Sequence, residues 1–224
     1  MRIINKLILA ICAFFVSVAL SISFIPKITL SSTVLLGCFI LPSLIVFTSM
    51  IIQVKNTSIK TEKRKIMFFW LKTLFIIYCL LLLELLFLNN EYRERINAEN
   101  IFSTEHLNTT NFIPFSTILN YGNRIQDNTI TIQIAILNIV TNLILFAPMG
   151  FFIPLLFKTK IKNFKQFLFF MLVITTCVEL LQFLTLSGCA DVDDIILNVI
   201  GSCGVYILMN VKFIKKLVKI SIAI

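Results

Sequence analysis

The chain has 224 residues, of which 58% are hydrophobic and only 14% charged, and its mean hydropathy is +0.95. That is more apolar surface than one soluble core of this size hides, so a soluble globular domain is excluded and an integral membrane protein expected. The net charge of +9 does not indicate nucleic acid, because Lys and Arg gather beside the apolar runs, as membrane-flanking charge does.

In chain order, apolar runs predict six spans, near 7–25, 33–54, 66–88, 130–157, 166–186 and 193–211; each reaches about the 18–20 residues a bilayer crossing needs. The expected fold is all-α, a polytopic transmembrane helix bundle with one long external loop between spans three and four. The first run follows Arg2 and Lys6, but it is long for a signal peptide and lacks a clear small-x-small cleavage site before Pro26, so an uncleaved span is expected. Pro42 lies inside the second run, where a membrane helix tolerates it. Basic residues cluster at Lys55–Lys65, at Lys158–Lys165 and in the tail from Lys212. With both termini cytoplasmic, all three clusters fall on the cytoplasmic side, in a multi-pass protein of the cell membrane.

The polar segment 89–129 is then external. It opens with NNEYRERINAEN, which reads as a short helix, and passes His106, read as solvated. It ends in NFIPFSTILNY, 111–121, too apolar for a plain linker. Phe112, Ile113, Phe115, Ile118 and Tyr121 suit either a segment lying in the membrane interface or a loop packed over the helices.

Acids inside or beside spans mark chemistry, because an ionised carboxylate in the membrane core costs about 2.5–3.5 kcal/mol even on the lenient insertion scale. Glu84 lies near the outer end of span three, and Glu179 about two turns from the outer end of span five. Asp191, Asp193 and Asp194 stand where span six begins. Glu179 and Gln182 share a helix face at i, i+3; Asp194 and Asn198 share one at i, i+4, with Gly201 continuing the stripe. In span four Asn138 and Asn142 are also i, i+4, ahead of Pro148 and Gly150, which weaken that helix. Asp191 reads equally as a helix cap with Asp193 and Asp194 in the first turn, and the asparagines as interhelical glue. Of the six cysteines only Cys189 falls in a loop, and they form no C-x-x-C pair from which a zinc site or disulfide framework would follow.

Three ordered blocks resemble the VanZ-like family of bacterial membrane proteins: NFIPFSTILNY at 111–121, NLILFAPMGFFIPLL at 142–156, and VELLQ followed by DVDDIILNVIG over 178–201. The resemblance covers roughly 66–210. It suggests an amino-terminal hairpin with a basic loop (1–65), a VanZ-like transmembrane domain (66–210) and a basic tail (211–224). Members often carry an Arg shortly before the Asp cluster, whereas Gly188, Cys189 and Ala190 stand there in this chain. The acids are therefore expected to meet another positive group: Arg93, Arg95, Arg124, a divalent cation or a substrate amine.

The resemblance implies association with glycopeptide resistance, above all to teicoplanin, without fixing a reaction. The leading reading is an outward-facing acidic pocket that binds or modifies an envelope component: a membrane lipid headgroup, a lipid-linked cell-wall precursor or the lipoglycopeptide. Glu179 and Asp194 are the candidate catalytic carboxylates, with Asn111, Pro114, Phe115, Asn142, Gln182, Asp191, Asp193 and Asn198 as candidate ligand-binding residues. An enzyme would use one carboxylate as general acid or base. The alternatives are a non-catalytic accessory or binding protein and, with less support, a small transporter. A divalent cation held by the Asp cluster would be magnesium, calcium or manganese, given hard oxygen ligands.

Overall fold

A computed structural model describes residues 2–23, 32–88, 101–108 and 110–211. The expected helix at NNEYRERINAEN, the candidate cations Arg93 and Arg95, and the basic tail lie outside the described residues. Six helical stretches are long and apolar enough to cross a membrane: Ile3–Ile22, Val34–Lys55, Lys60–Leu88, Ile132–Leu156, Phe164–Thr185 and Val192–Asn210. They fall on the six expected runs, and the protein is an all-α, multi-pass membrane protein. The chain forms two compact units that divide between Asn89 and Asn90.

The first unit contains α1 (Arg2–Ser23), α2 (Ser32–Lys55) and α3 (Lys60–Leu83), the last running on into a π-helical turn, Glu84–Leu88. Its core is Cys12, Val16, Ala19, Phe39, Val46, Trp70 and Ile77. A polar chain links its three helices. The Trp70 indole donates to Gln53 at 3.3 Å, and Gln53 donates to Asn5 at 2.8 Å. Such bonds hold membrane helices together where no hydrophobic effect separates helix from lipid. Pro42 is buried within α2, and its carbonyl accepts the Cys12 thiol.

The second unit contains α4 (Thr104–Leu107), α5 (Ser116–Gln126), α6 (Ile132–Leu145), α7 (Met149–Leu156), α8 (Phe164–Thr185) and α9 (Val192–Asn210). Local chemistry sets its helix starts. Ser103, Thr131, Asn163 and Asp191 each cap a helix, their side-chain oxygens accepting N–H groups of the first turn. The fourth apolar run is two helices, broken at Phe146-Ala147-Pro148, where i→i−3 bonds replace the α-helical pattern. Pro148, with no N–H to donate, explains the break.

α9 packs against α6, α7 and α8. Two glycines make this possible. A Cβ on Gly201 would stand 1.8 Å from the Leu143 carbonyl oxygen of α6, and one on Gly150 of α7 would stand 2.2 Å from that of Ser202 in α9. Small residues let membrane helices approach closely enough for packing to hold them.

Candidate functional site

The site is built where α8 ends and α9 begins. α8 stops at Leu186, which takes a left-handed conformation (φ 56°). Five residues later Asp191 opens α9, its carboxylate accepting the Asp193 N–H at 2.8 Å. This turn brings two acids of different helices together: Glu179 of α8 accepts the backbone N–H of Asp191 at 3.3 Å. Glu179 is 5% exposed and Asp191 6%.

The segment 111–118 locks onto the same turn. Asn111 pairs with Asp191 in an isolated parallel bridge, its N–H on the Ala190 carbonyl and its carbonyl accepting the Val192 N–H. The Asn111 side-chain amide donates to Asp191 at 2.8 Å and to the Thr117 hydroxyl at 3.0 Å, while Thr117 donates to the other Asp191 oxygen at 2.7 Å. Asn111 Oδ1 accepts the Ser116 hydroxyl and the Ile113 N–H. Asp193, 1% exposed, accepts the N–H of Phe115 on one oxygen and that of Ile118 on the other, at 3.1 Å. Its carboxylate thus caps α5 from another helix, where the unpaired first-turn N–H groups carry partial positive charge.

These bonds divide the acids. Asp191 and Asp193 are engaged by N–H and O–H donors and hold the 111–118 segment in place. Asp194 faces α6, where the Asn142 amide donates to it. One turn deeper on the same face, Asn198 is 3% exposed and its amide oxygen receives no hydrogen bond. Across the turn, Gln182 lies against Gly188, whose Cβ would meet the Gln182 amide at 3.1 Å. Pro114 and Phe115 are exposed, and neither side chain bonds to the acids.

The cluster does not suit a divalent cation. Donors already occupy both oxygens of Asp191 and of Asp193, and the described residues hold no group of three His, Cys, Asp or Glu arranged for a metal. Nor does any described Lys or Arg pair with these acids, since the one ion pair among the described residues is Glu62–Lys65. Arg124 is exposed at the last turn of α5.

Two side chains outside the site expectations belong to this end of the unit. The Tyr121 hydroxyl accepts from Asn138 at 3.3 Å. Burial is the main cause that raises its phenol above the ordinary value, and the Asp194 and Asp191 carboxylates add to it. His106 is the other, and its solvated reading is corrected. It is fully buried, stacked on Phe183 at 4.5 Å, with a ring nitrogen donating to the Phe183 carbonyl at 3.0 Å. That carbonyl lies in the last turn of α8, where it also accepts the Leu186 N–H at 3.3 Å. The loop thiol of Cys189 is pushed up to about 12, by burial first and then by Asp194, Asp191 and Glu179.

The four lysines 158, 160, 162 and 165 lie exposed around the α7–α8 turn, at the other end of α8, which at 1.5 Å per residue is about 30 Å long. No curated protein and no solved structure matches the chain. The sequence model of the VanZ/LLP1 family matches residues 75–214, which contain every side chain of this site and well over half of the protein. With the clamp, the broken fourth span and the paired acids all inside that match, the chain belongs to the VanZ/LLP1 family.

Proposed function

We propose that the protein acts at the outer face of the bacterial cell membrane, where the carboxylates of Glu179 and Asp194 form an acidic pocket for a cationic or hydrogen-bond-donating group of an envelope component. The ligand is a lipid headgroup, a lipid-linked cell-wall precursor or a lipoglycopeptide such as teicoplanin, and occupancy lowers the drug's effect. The observation that carries this reading is the division of the acids. Asp191 and Asp193 are consumed by the 111–118 clamp, whereas Glu179 and Asp194 meet a single backbone N–H and a single amide. Acceptors outnumber donors there, and the unpaired Asn198 oxygen adds another. A ligand bearing several N–H or O–H donors complements such a set.

Asn142 orients Asp194 through its amide, Gln182 and Asn198 line the pocket beside the carboxylates, and Asn111, Asp191 and Asp193 hold the wall. Both termini and the lysine-rich α7–α8 turn lie in the cytoplasm, following the basic clusters. Binding is the simpler form of the activity; a reaction adds proton transfer through one of the carboxylates.

The test is expression in a teicoplanin-sensitive host. Wild type should raise tolerance, and a Glu179→Gln, Asp194→Asn double variant at equal membrane abundance should not. Equal tolerance from both would end the carboxylate reading. Purified protein in liposomes then separates the forms: altered drug or precursor establishes an enzyme, and saturable binding of unaltered material a binding protein.

A further inference from the structure

We infer that the tip Phe112–Phe115 is a membrane anchor that inserts into the lipid leaflet at which α8 ends and α9 begins. The inference does not depend on what the acidic pocket binds.

The segment splits its apolar residues between two directions. Ile118, Tyr121 and Ile125 are half-buried, at i, i+3 and i+7, and form the face that α5 turns to the protein. Phe112 and Ile113 are each 70% exposed and Phe115 53%, with Pro114 exposed between them. Three large apolar side chains pointing away from the protein form a patch that water disfavours.

The place of the tip identifies what covers it. Phe115 hangs by its N–H from Asp193, in the first turn of the spanning helix α9. Asn111 is bridged to the cap of that helix. At its other end α5 is joined through 127–131 to α6, whose outward residues Ile132, Ile134, Ile136 and Leu137 are exposed on a span. The tip is therefore held at the depth where a span begins, next to surface that already faces lipid. Aromatic and aliphatic side chains are at home at that depth.

The clamp aims the tip. Phe115 adopts a left-handed backbone, φ 66° and ψ 2°, which a bulky residue avoids unless its surroundings impose it. Asp193 imposes it by accepting the N–H groups of Phe115 and Ile118 together. The Asp cluster accordingly positions an anchor as well as walling a pocket.

Fluorescence quenching tests this with full-length protein in phosphatidylcholine vesicles. A Trp is introduced separately as F112W, I113W and N123W, the last on an exposed polar position of α5, and the signal of the native Trp70 is subtracted. The anchor requires that acyl-chain-brominated phosphatidylcholine remove most of the added emission in F112W and I113W and little in N123W. No quenching in any variant, or equal quenching in all three, overturns it. Blue-shifted but unquenched emission at the tip also overturns it, by assigning the patch to a protein contact. Asp193→Ala should erase the contrast between tip and Asn123 positions; an unchanged contrast would remove Asp193 from the aiming role.

Discussion

The carboxylate of Glu179 and the backbone N–H of Asp191 meet at 3.3 Å, so the acid of one spanning helix is fastened to the cap of the next. Glu179 therefore has two separable jobs, as an acceptor and as a charge. Glu179→Gln keeps an oxygen for the Asp191 N–H and removes only the charge. Glu179→Ala leaves that buried N–H without its partner, at about 1–3 kcal/mol. Thermal unfolding in detergent should show Gln near wild type and Ala clearly lower. In the tolerance assay both variants should fail, and a Gln variant with wild-type tolerance would reduce Glu179 to a structural acceptor.

Glycines on the helices of the second unit should respond in opposite directions. Gly201→Ala and Gly150→Ala drive a methyl group into a backbone carbonyl, which cannot swing aside as a side chain does. Each should cost about 1–3 kcal/mol, as overpacking does. At Gly204 a Cβ meets nothing within 4 Å. Gly204→Ala should raise stability by about 0.5–1 kcal/mol through the helix preference alone. Melting temperatures of the three variants check the order, and a fall at Gly204 would contradict the packing of α9.

The spans could be read from the chain because length and hydropathy decide them locally. So could the Asp191 cap and the weak point at Pro148, whose chemistry is settled within a few residues. What was hidden depends on contacts far apart in sequence. His106 reads as a loop residue until Phe183, 77 positions away, stacks on it. The Asp193 bonds to Phe115 and Ile118 span 78 and 75 positions. The missing Arg before the Asp cluster raised the question of what positive group the acids meet. For Asp191 and Asp193 the answer is partial charge, from backbone N–H groups, an amide and a hydroxyl. In the 111–121 segment Ile118 and Tyr121 are half-buried against the protein, whereas Phe112, Ile113, Pro114 and Phe115 are exposed in succession, a division that hydropathy alone does not give.

His106 should prove a fastening for the 101–108 segment. His106→Ala removes the stacked ring and one donor to the Phe183 carbonyl, which keeps the Leu186 N–H, so the lost hydrogen bond costs about 0.5–1.5 kcal/mol. Limited proteolysis should cut the segment faster in the variant while the spans remain protected. An unchanged cleavage rate would mean that the buried ring does not hold the segment.

Cys189 should be slow to alkylate. With its thiol pushed up to about 12, little thiolate exists near neutral pH, and the rate should climb about tenfold per pH unit from 7 to 10. The neighbouring carboxylates raise the value, so Asp194→Asn removes one of its causes and lowers it. Alkylation at pH 8.5 should therefore be faster in that variant, although burial, the larger cause, remains. Mass spectrometry of the Cys189 peptide measures the rate. Equal rates would mean that Asp194 carries no charge beside this thiol.

The two ends of α8 should lie on opposite sides of the membrane, with the lysines inside. Lys158, Lys160, Lys162 and Lys165 are all exposed at its first end, and the acids collect at its last. Basic residues in short loops are retained in the cytoplasm, whereas Asp and Glu contribute little to orientation. A reporter inserted beside Lys160 should therefore score cytoplasmic, and one beside Ser187 external. Exchanging the four lysines for glutamine should weaken that preference without moving the acids. The reverse pattern in the native chain would turn the pocket and the tip toward the cytoplasm, out of reach of a drug arriving from outside.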